Sequence, residues 1–298
     1  MTTGTDQLAA RFEESRAHLL GVGYRITGSL ADAEDAVQEA WLRLARSDDP
    51  ESVRDLRAWS TTTVARLCLD RLRSAAARRE RHVGPWLPEP LVTTPDDTGP
   101  LAELVRAEDV RMAAMVVLER LGPAQRVAFV LHEALDLPYD EIGAVLGCSA
   151  DAARQHAARA RRAIADEPAP PRAPDIVAAA ALQRFAEALA GGDASALTAV
   201  LHPDVVMVND GGGRVSAARR PIAGPDKVSR LLFGLLGQYG PGLMDGRPVL
   251  VNGEPGFLVP GDGDVSTSVT VLTLQDGLIR SIHSVLDPEK LTRLPAGE

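Results

Sequence analysis

Leu137 to Ala165 reads LPYDEIGAVLGCSADAARQHAARARRAIA, a helix, a tight turn and a second helix. Ile142, Val145 and Leu146 give the first helix one apolar face, and Gly147-Cys148 interrupts the pattern at the turn. Ser149 is placed to cap the helix that follows. Asp151 falls in that helix's first turn, where the helix dipole favours a carboxylate. Ala153, Ala157, Ala160 and Ile164 then recur at helical spacing and form an inward stripe. The other side carries Arg154, Gln155, Arg159, Arg161 and Arg162. A short helix crossed by a second one with guanidinium groups on its outer face is the geometry that enters a DNA major groove. An ordinary helical hairpin with a solvated basic face shares the pattern, so the rest of the chain has to supply the job.

The 298 residues suffice for two or three compact domains, each with its own core. A formal net charge of −9 is unusual for a free-standing DNA binder. An acidic whole with locally basic helices fits a protein held on DNA by a larger partner. The two cysteines, Cys68 and Cys148, suggest a reducing compartment and no disulfide framework. The first residues, MTTGTDQLAARFEESR, lack the basic start and apolar stretch of a signal peptide. No apolar run is long enough to span a bilayer, so a cytoplasmic location without membrane attachment is expected.

Upstream of the opening stretch, the periodicity predicts a helix over Asp6–Thr27 and a second over Ala31–Arg46. In the second, Val37, Ala40, Trp41 and Leu44 face inward, while Asp32, Glu34, Asp35, Gln38 and Glu39 make an acidic outer half. Such acids stabilise a helix start in their own right, and they would equally suit a basic partner helix. After a polar loop, Ser47–Arg54, a long helix is expected from Leu56 to Arg81. Trp59, Val64, Leu67 and Leu72 can be buried there, and Arg57, Arg66, Arg71, Arg73, Arg78, Arg79 and Arg81 form a basic surface suited to phosphates. His82 to Pro100, HVGPWLPEPLVTTPDDTGP, is too rich in proline for regular helix and reads as a linker. Trp86 within it implies a docking site, since a large apolar group is seldom placed in a free linker. Helices are expected over Leu101–Leu121 and Pro123–Leu135, and a second hinge, EPAPPRAP, spans Glu167–Pro174.

From Asp175 the pattern changes. Helices are predicted over Asp175–Ala190, up to Leu201, and over Asp226–Tyr239. Strands are predicted at Val205–Asn209 and near Pro248–Asn252, Phe257–Pro260, Thr267–Gln275 and Ile279–Leu286. Asp276-Gly277 is a hairpin signal, and Asp210-Gly211-Gly212-Gly213 a turn requiring positive φ. Helices followed by a curled antiparallel sheet indicate an α+β cup with a lined hollow.

Three stretches in order resemble the extracytoplasmic-function (ECF) sigma factors, which keep only the second and fourth sigma regions. Ala31–Leu44, centred on Asp35-Ala36-Val37-Gln38, is similar to the segment docked on the polymerase β′ clamp helices. Asp55–Arg73, DLRAWSTTTVARLCLDRLR, is similar to the helix that recognises and opens the −10 element. Pro138–Arg162 resembles the helix-turn-helix that reads the −35 element. Trp86-Leu87-Pro88-Glu89-Pro90 and Asp210-Gly211-Gly212-Gly213 are similar to signatures of the ECF41 group, which carries a C-terminal SnoaL-like domain of the NTF2 superfamily. That group's Asn-Pro-Asp-Lys-Leu motif stands here as Asp287-Pro288-Glu289-Lys290-Leu291, changed at two positions. In the helix-turn-helix, Gly143 replaces the usual Ala, and Ala153 sits where a β-branched residue is frequent.

The resemblance implies two all-α domains followed by an α+β cone: region two over 6–81, a linker over 82–100, region four over 101–166, a hinge over 167–174 and the SnoaL-like domain over 175–291. It implies a non-enzymatic protein without cofactor or metal, binding RNA polymerase core through the β′ clamp helices and the β subunit, and promoter DNA. Asp35, Ala36, Val37, Gln38 and Glu39 would contact the polymerase; Arg57, Trp59, Arg66, Arg71 and Arg73 the −10 element; Arg154, Gln155, Arg159, Arg161 and Arg162 the −35 element. Loop Ser47–Arg54 would pocket an extruded base. Regulatory contacts fall to Trp86, Leu87, Pro88, Asp210, Gly211, Gly212, Gly213, Asp287 and Lys290, with Trp86 or its neighbours touching the cup near Asp210. Two alternatives stay open: a helix-turn-helix regulator with a ligand-sensing cup, and an enzymatic cup using Asp210 as base with Tyr239 or His283 as donor. A small ligand in the cup is compatible with the first two readings.

Overall fold

The computed structural model describes residues 4–47, 53–79, 84–94, 96–107 and 110–295. The chain forms two compact units. One comprises Met1–Glu80, Thr98–Val110 and Ala114–Pro168; the other comprises Arg81–Asp97, Arg111–Ala113 and Ala169–Glu298.

The first unit is helical: α1 Gly4–Glu13, α2 Arg16–Thr27, α3 Leu30–Ala45, α4 Leu56–Arg79, α5 Pro100–Ala107, α6 Met112–Glu119, α7 Pro123–Glu133, α8 Tyr139–Leu146 and α9 Ala150–Asp166. The single helix expected over Asp6–Thr27 is broken at Glu14-Ser15. The break separates two environments. α2 is buried on all sides from Leu19 to Thr27, whereas α1 is amphipathic and lays Phe12 against Trp41 with ring centroids 5.3 Å apart. Ser29 caps α3, its side chain accepting from the Asp32 amide at 3.2 Å. The helix expected over Leu101–Leu121 is likewise two, α5 and α6, with a buried non-helical Val110 between them. Apolar periodicity alone runs through such a bend, because both flanking helices bury residues, Leu104 and Met112. α7 starts at Pro123, where a missing N–H costs nothing.

In the second unit β1 Val92–Thr93 precedes α10 Asp175–Ala190, α11 Ala194–Val200, β2 Leu201–Asp210, β3 Ile222–Ala223, α12 Pro225–Tyr239, β4 Arg247–Val251, β5 Glu254–Val259, β6 Ser268–Gln275 and β7 Leu278–Val285. These strands form one sheet in the order β1-β4-β5-β6-β7-β2-β3. The two tight hairpin turns, β4 to β5 and β6 to β7, use paired left-handed residues: Asn252-Gly253 (φ 53° and 78°) and Asp276-Gly277 (φ 54° and 77°). The sheet is not wholly antiparallel as expected, since β2 and β7 run parallel. β4 to β7 form a meander, and α12 carries the chain from β3 to the meander's far side, so the last strand returns alongside β2 in its own direction.

The stretch expected to be only a linker supplies an edge strand to this sheet. Val92 pairs with Val251 and Thr93 with Leu250. Leu91 donates to Asn252 Oδ1 at 3.0 Å and accepts from the Asn252 amide at 2.8 Å. Pro85, Pro88 and Pro90 exclude a helix but leave this short extended pairing free. The unit's core gathers Phe185, Leu197, Val205, Met207, Leu272 and Ile282, joining α10 and α11 to one face of the sheet.

Candidate functional site

α3 presents Asp35 and Gln38 to solvent, with Glu39 half-exposed. Ala36 and Val37, also expected to meet the polymerase, are 0% and 1% exposed and face the core of the helical unit. Their side chains pack the helix in place and are not available to a partner's surface. The acidic face already has cations beside it: Arg71 on α4 lies 3.9 Å from Asp32 and 4.0 Å from Asp35, and Arg43 donates to Glu39 at 2.9 Å. Arg71 is therefore engaged by α3 rather than free on a DNA-facing surface. Behind this pair, burial pushes the Cys68 thiol up to about 12, with Arg71 opposing the shift and Asp32 adding to it.

On α4, Arg57 is exposed and Trp59 half-buried. Arg73 lies 3.7 Å from Asp70, one turn away. Arg66 donates to the Ala144 carbonyl of α8 at 3.1 Å, so its guanidinium meets the helix-turn-helix instead of standing free. The side chains of Arg78 and Arg79, Arg81 and the central residues 48–52 of the expected base pocket lie outside the described residues.

The helix-turn-helix has the local chemistry its sequence dictates. The Ser149 hydroxyl accepts from the Ala152 amide at 3.2 Å, and Ala153, Ala157 and Ala160 are fully buried. Gly147 makes the turn with φ 71°. Gly143 is required by close approach: a Cβ there would stand 2.7 Å from the Cys148 carbonyl. Gln155, Arg159 and Arg162 share one exposed face. The other two residues expected on it are turned toward α7 and α8. Arg154 pairs with Asp151 at 2.8 Å and lies 5.0 Å over the Tyr139 ring; Arg161 lies 3.6 Å from Glu133 and 3.4 Å from the Tyr139 hydroxyl. A network absent from sequence reasoning sits behind α7. Arg126, 1% exposed, donates to Glu119 at 2.6 Å and to the Arg25 carbonyl at 2.7 Å. A lone Arg within VAFVL-type sequence carries no signal of such a role.

In the second unit a buried cluster closes around Asp210, at the end of β2. Its carboxylate is fully buried. Oδ2 accepts from the Leu87 amide at 2.8 Å and from Lys290 Nζ at 2.6 Å, and Oδ1 accepts from the Gly212 amide at 3.0 Å. Lys290 also donates to the Leu87 carbonyl at 2.5 Å and stands 3.2 Å over the Trp86 ring. Leu87 is thus held at both its backbone groups by one ion pair. Pro88 is buried beside it. The Asp210 carbonyl accepts from the Leu286 and Asp287 amides at 2.7 and 3.1 Å. Asp287 caps the short turn carrying Lys290, accepting from the Glu289 amide at 3.1 Å. Gly212, at φ 64°, has room for no Cβ, which would fall 2.3 Å from the Asp287 carboxyl carbon. Gly211 approaches the Val215 carbonyl as closely, and Gly213 completes the turn at φ 71°. All the expected regulatory residues thus meet in one unit, with Trp86 and Leu87 against Lys290 and Asp210. Asp210 is not poised as a base, since Lys290 and two amides occupy its oxygens.

Profiles of Sigma-70 region 2 and Sigma-70 region 4 match residues 12–78 and 111–164. The chain is 48% identical to the ECF RNA polymerase sigma factor SigJ of Mycobacterium tuberculosis over 97% of this chain and 95% of that protein. It is 33% identical to the probable ECF sigma factor SigI of the same species, over 98% and 97%. A crystal structure of M. tuberculosis SigJ superposes with a TM-score of 0.80 at 44% identity, covering 95% of this chain and 98% of that one. No described helix is long and apolar enough to cross a membrane.

Proposed function

This chain belongs to the ECF sigma factors, which direct RNA polymerase to promoters, and from that premise we propose that its C-terminal unit modulates initiation by gripping the linker at Leu87. The exposed acids of α3, Asp35 and Glu39 with Gln38, dock on the β′ clamp helices. α4, through Arg57 and Trp59, serves the −10 element, and Gln155, Arg159 and Arg162 of α9 serve the −35 element. Tethering two weak readers to one polymerase raises their effective concentration, so an acidic chain binds promoters without a strongly basic surface of its own.

The observation that carries the modulatory reading is the Lys290–Asp210 pair closing on both backbone groups of Leu87, more than a hundred residues away from either in sequence. A linker that merely connects two regions has no use for a buried ion pair at one peptide. Freeing or fixing this peptide changes the reach available to the chain on either side of it.

The test is run-off transcription with core polymerase and full-length protein. The wild type gives promoter-dependent transcripts. Lys290→Met and Asp210→Asn change transcript yield several-fold from the same start site. Equal yields from all three overturn the modulation, and no promoter-dependent transcript from any overturns the polymerase and promoter assignments.

A further inference from the structure

The sheet of the second unit separates two sites along one strand. By the two-residue period of a strand, Met207 and Asn209 face the helices while Asp210 faces the linker. Between the sheet and α10 and α12 lies a cavity of about 210 Å³. Phe185, Leu189, Leu235, Phe257 and Ile282 are among its apolar lining residues, and no charged side chain lines it among the described residues. Its polar side chains are those of Asn209, Ser268, Thr270 and Ser284. The Asn209 amide nitrogen, on a residue 7% exposed, has no hydrogen-bond partner among the described residues. Thr270 and Ser284 share one hydrogen bond at 2.8 Å, which leaves one hydroxyl hydrogen of the two unspent.

A buried amide without a partner costs free energy, so its presence in a mostly apolar hollow calls for an acceptor from outside the chain. A cavity of ~150 Å³ accommodates a six-carbon ring, which scales the occupant here to on the order of ten non-hydrogen atoms. Absence of a lining cation disfavours an anion, and absence of a lining anion disfavours a cation. We propose that this cavity binds a neutral, mostly apolar molecule of bicyclic size bearing a carbonyl-type acceptor, read by Asn209, and that its occupancy is coupled to the Leu87 clamp. The binding half stands on the cavity alone; the coupling half rests on the modulatory reading above.

The route of coupling is short. Asn209 is followed directly by Asp210, whose carboxylate holds Leu87. Leu286 lines the cavity and donates its amide to the Asp210 carbonyl at 2.7 Å, and the neighbouring Asp287 shapes the turn of Lys290. A ligand that orders Asn209 and Leu286 orders both backbone segments of the clamp.

The probes are 1-indanone, its hydrocarbon indane, and indane-2-carboxylate, titrated into the full-length protein by calorimetry and ligand-observed NMR. The ketone binds wild type, the hydrocarbon about tenfold more weakly, and the carboxylate not detectably. Asn209→Leu weakens the ketone about tenfold and leaves the hydrocarbon unchanged; Leu235→Trp, which fills the cavity, abolishes both. Saturating 1-indanone slows hydrogen exchange at the Leu87 amide several-fold. No ketone binding up to its solubility, or equal ketone and hydrocarbon affinities on wild type, overturns the binding and with it the proposal; unchanged exchange at Leu87 overturns the coupling. The wild-type comparison needs no variant to fold. If indanone fails while Lys290→Met still alters transcription, only this inference falls; if indanone binds while the clamp variants transcribe normally, the modulatory reading falls instead.

Discussion

The exposed ion pairs beside the basic face of α9 and the clamp at Asp210 both depend on cations, and they spend them in opposite ways. Arg154 and its partner Asp151 lie three residues apart, with side chains 59% and 83% exposed. Lys290 and Asp210 lie eighty residues apart, 8% and 0% exposed. An exposed pair is screened by water and salt, contributing ~0–1 kcal/mol, so its charges remain available to a phosphate or a base. A buried pair has given up its hydration, and either member left alone is an uncompensated charge. The helix-turn-helix is thus built to exchange partners and the clamp to keep them. The first is probed by adding DNA, and the second by breaking the pair.

The sharpest way to break the comparison is Lys290→Met in the full chain. Asp210 keeps the Leu87 and Gly212 amides but loses its cation, and unfolding of the second unit is expected to lose ~3–5 kcal/mol. Urea denaturation checks the loss, and hydrogen exchange at Leu87 should quicken in step. A loss under ~1 kcal/mol would place this pair with the surface pairs of α9.

Next in size is Trp86→Leu, which keeps apolar bulk and removes the ring beneath Lys290 Nζ. A desolvated cation over an indole is worth ~2 kcal/mol, so the midpoint falls by less than for Lys290→Met but in the same direction. Trp86→Phe should recover part of it. If Leu and Phe behave alike, the contact is packing alone.

How far the sequence reached follows the same divide. Ser149, Gly147 and the alanine stripe of α9 act within a few residues, and their geometry is legible because local spacing determines it. Asp276-Gly277 announced its hairpin for the same reason. Asn252-Gly253 carried the identical signal, yet an apolar run before it reads as strand through Asn252. The break of α1 from α2 and of α5 from α6 was hidden because neither Glu13-Glu14-Ser15-Arg16 nor Ala107-Glu108-Asp109-Val110 contains the Gly or Pro that marks a helix end. That Arg66 reaches Ala144, Arg71 reaches α3, and Ala36 and Val37 turn inward depends on which helices meet, which spacing within one helix does not encode. The clamp lay between. Family likeness marked Trp86, Leu87, Asp210 and Lys290, but not that a peptide N–H and C=O of Leu87 were the groups held. Nor did anything local mark β1, since two residues with prolines upstream carry no strand period. A lined hollow was expected from the order of helices and strands, but Asn209 was read as an ordinary strand end, and only the packing of α10 and α12 shows that it faces that hollow.

The smallest structural effect belongs to Arg159→Ala and Arg162→Ala, exposed on α9 and engaged by no ion pair among the described residues. Each should shift unfolding by no more than ~0.5 kcal/mol. Their effect should appear instead in promoter binding by the holoenzyme. A residue that neutralises one phosphate contributes ~0.9 to the slope of log affinity against log salt, so each variant should flatten that slope by about this amount. Gln155→Ala should leave the slope unchanged and relax discrimination between −35 sequences by ~1–3 kcal/mol per misread base pair, because a carboxamide carries no charge but pairs with a base edge. Arg161→Ala is the control within the same helix. Its guanidinium lies by Glu133 and Tyr139, so neither slope nor discrimination should change as much as for Arg159→Ala. Equal slopes for Arg161→Ala and Arg159→Ala would mean that DNA draws Arg161 away from Glu133, and the exposed pairs of this unit would then be switches rather than bystanders.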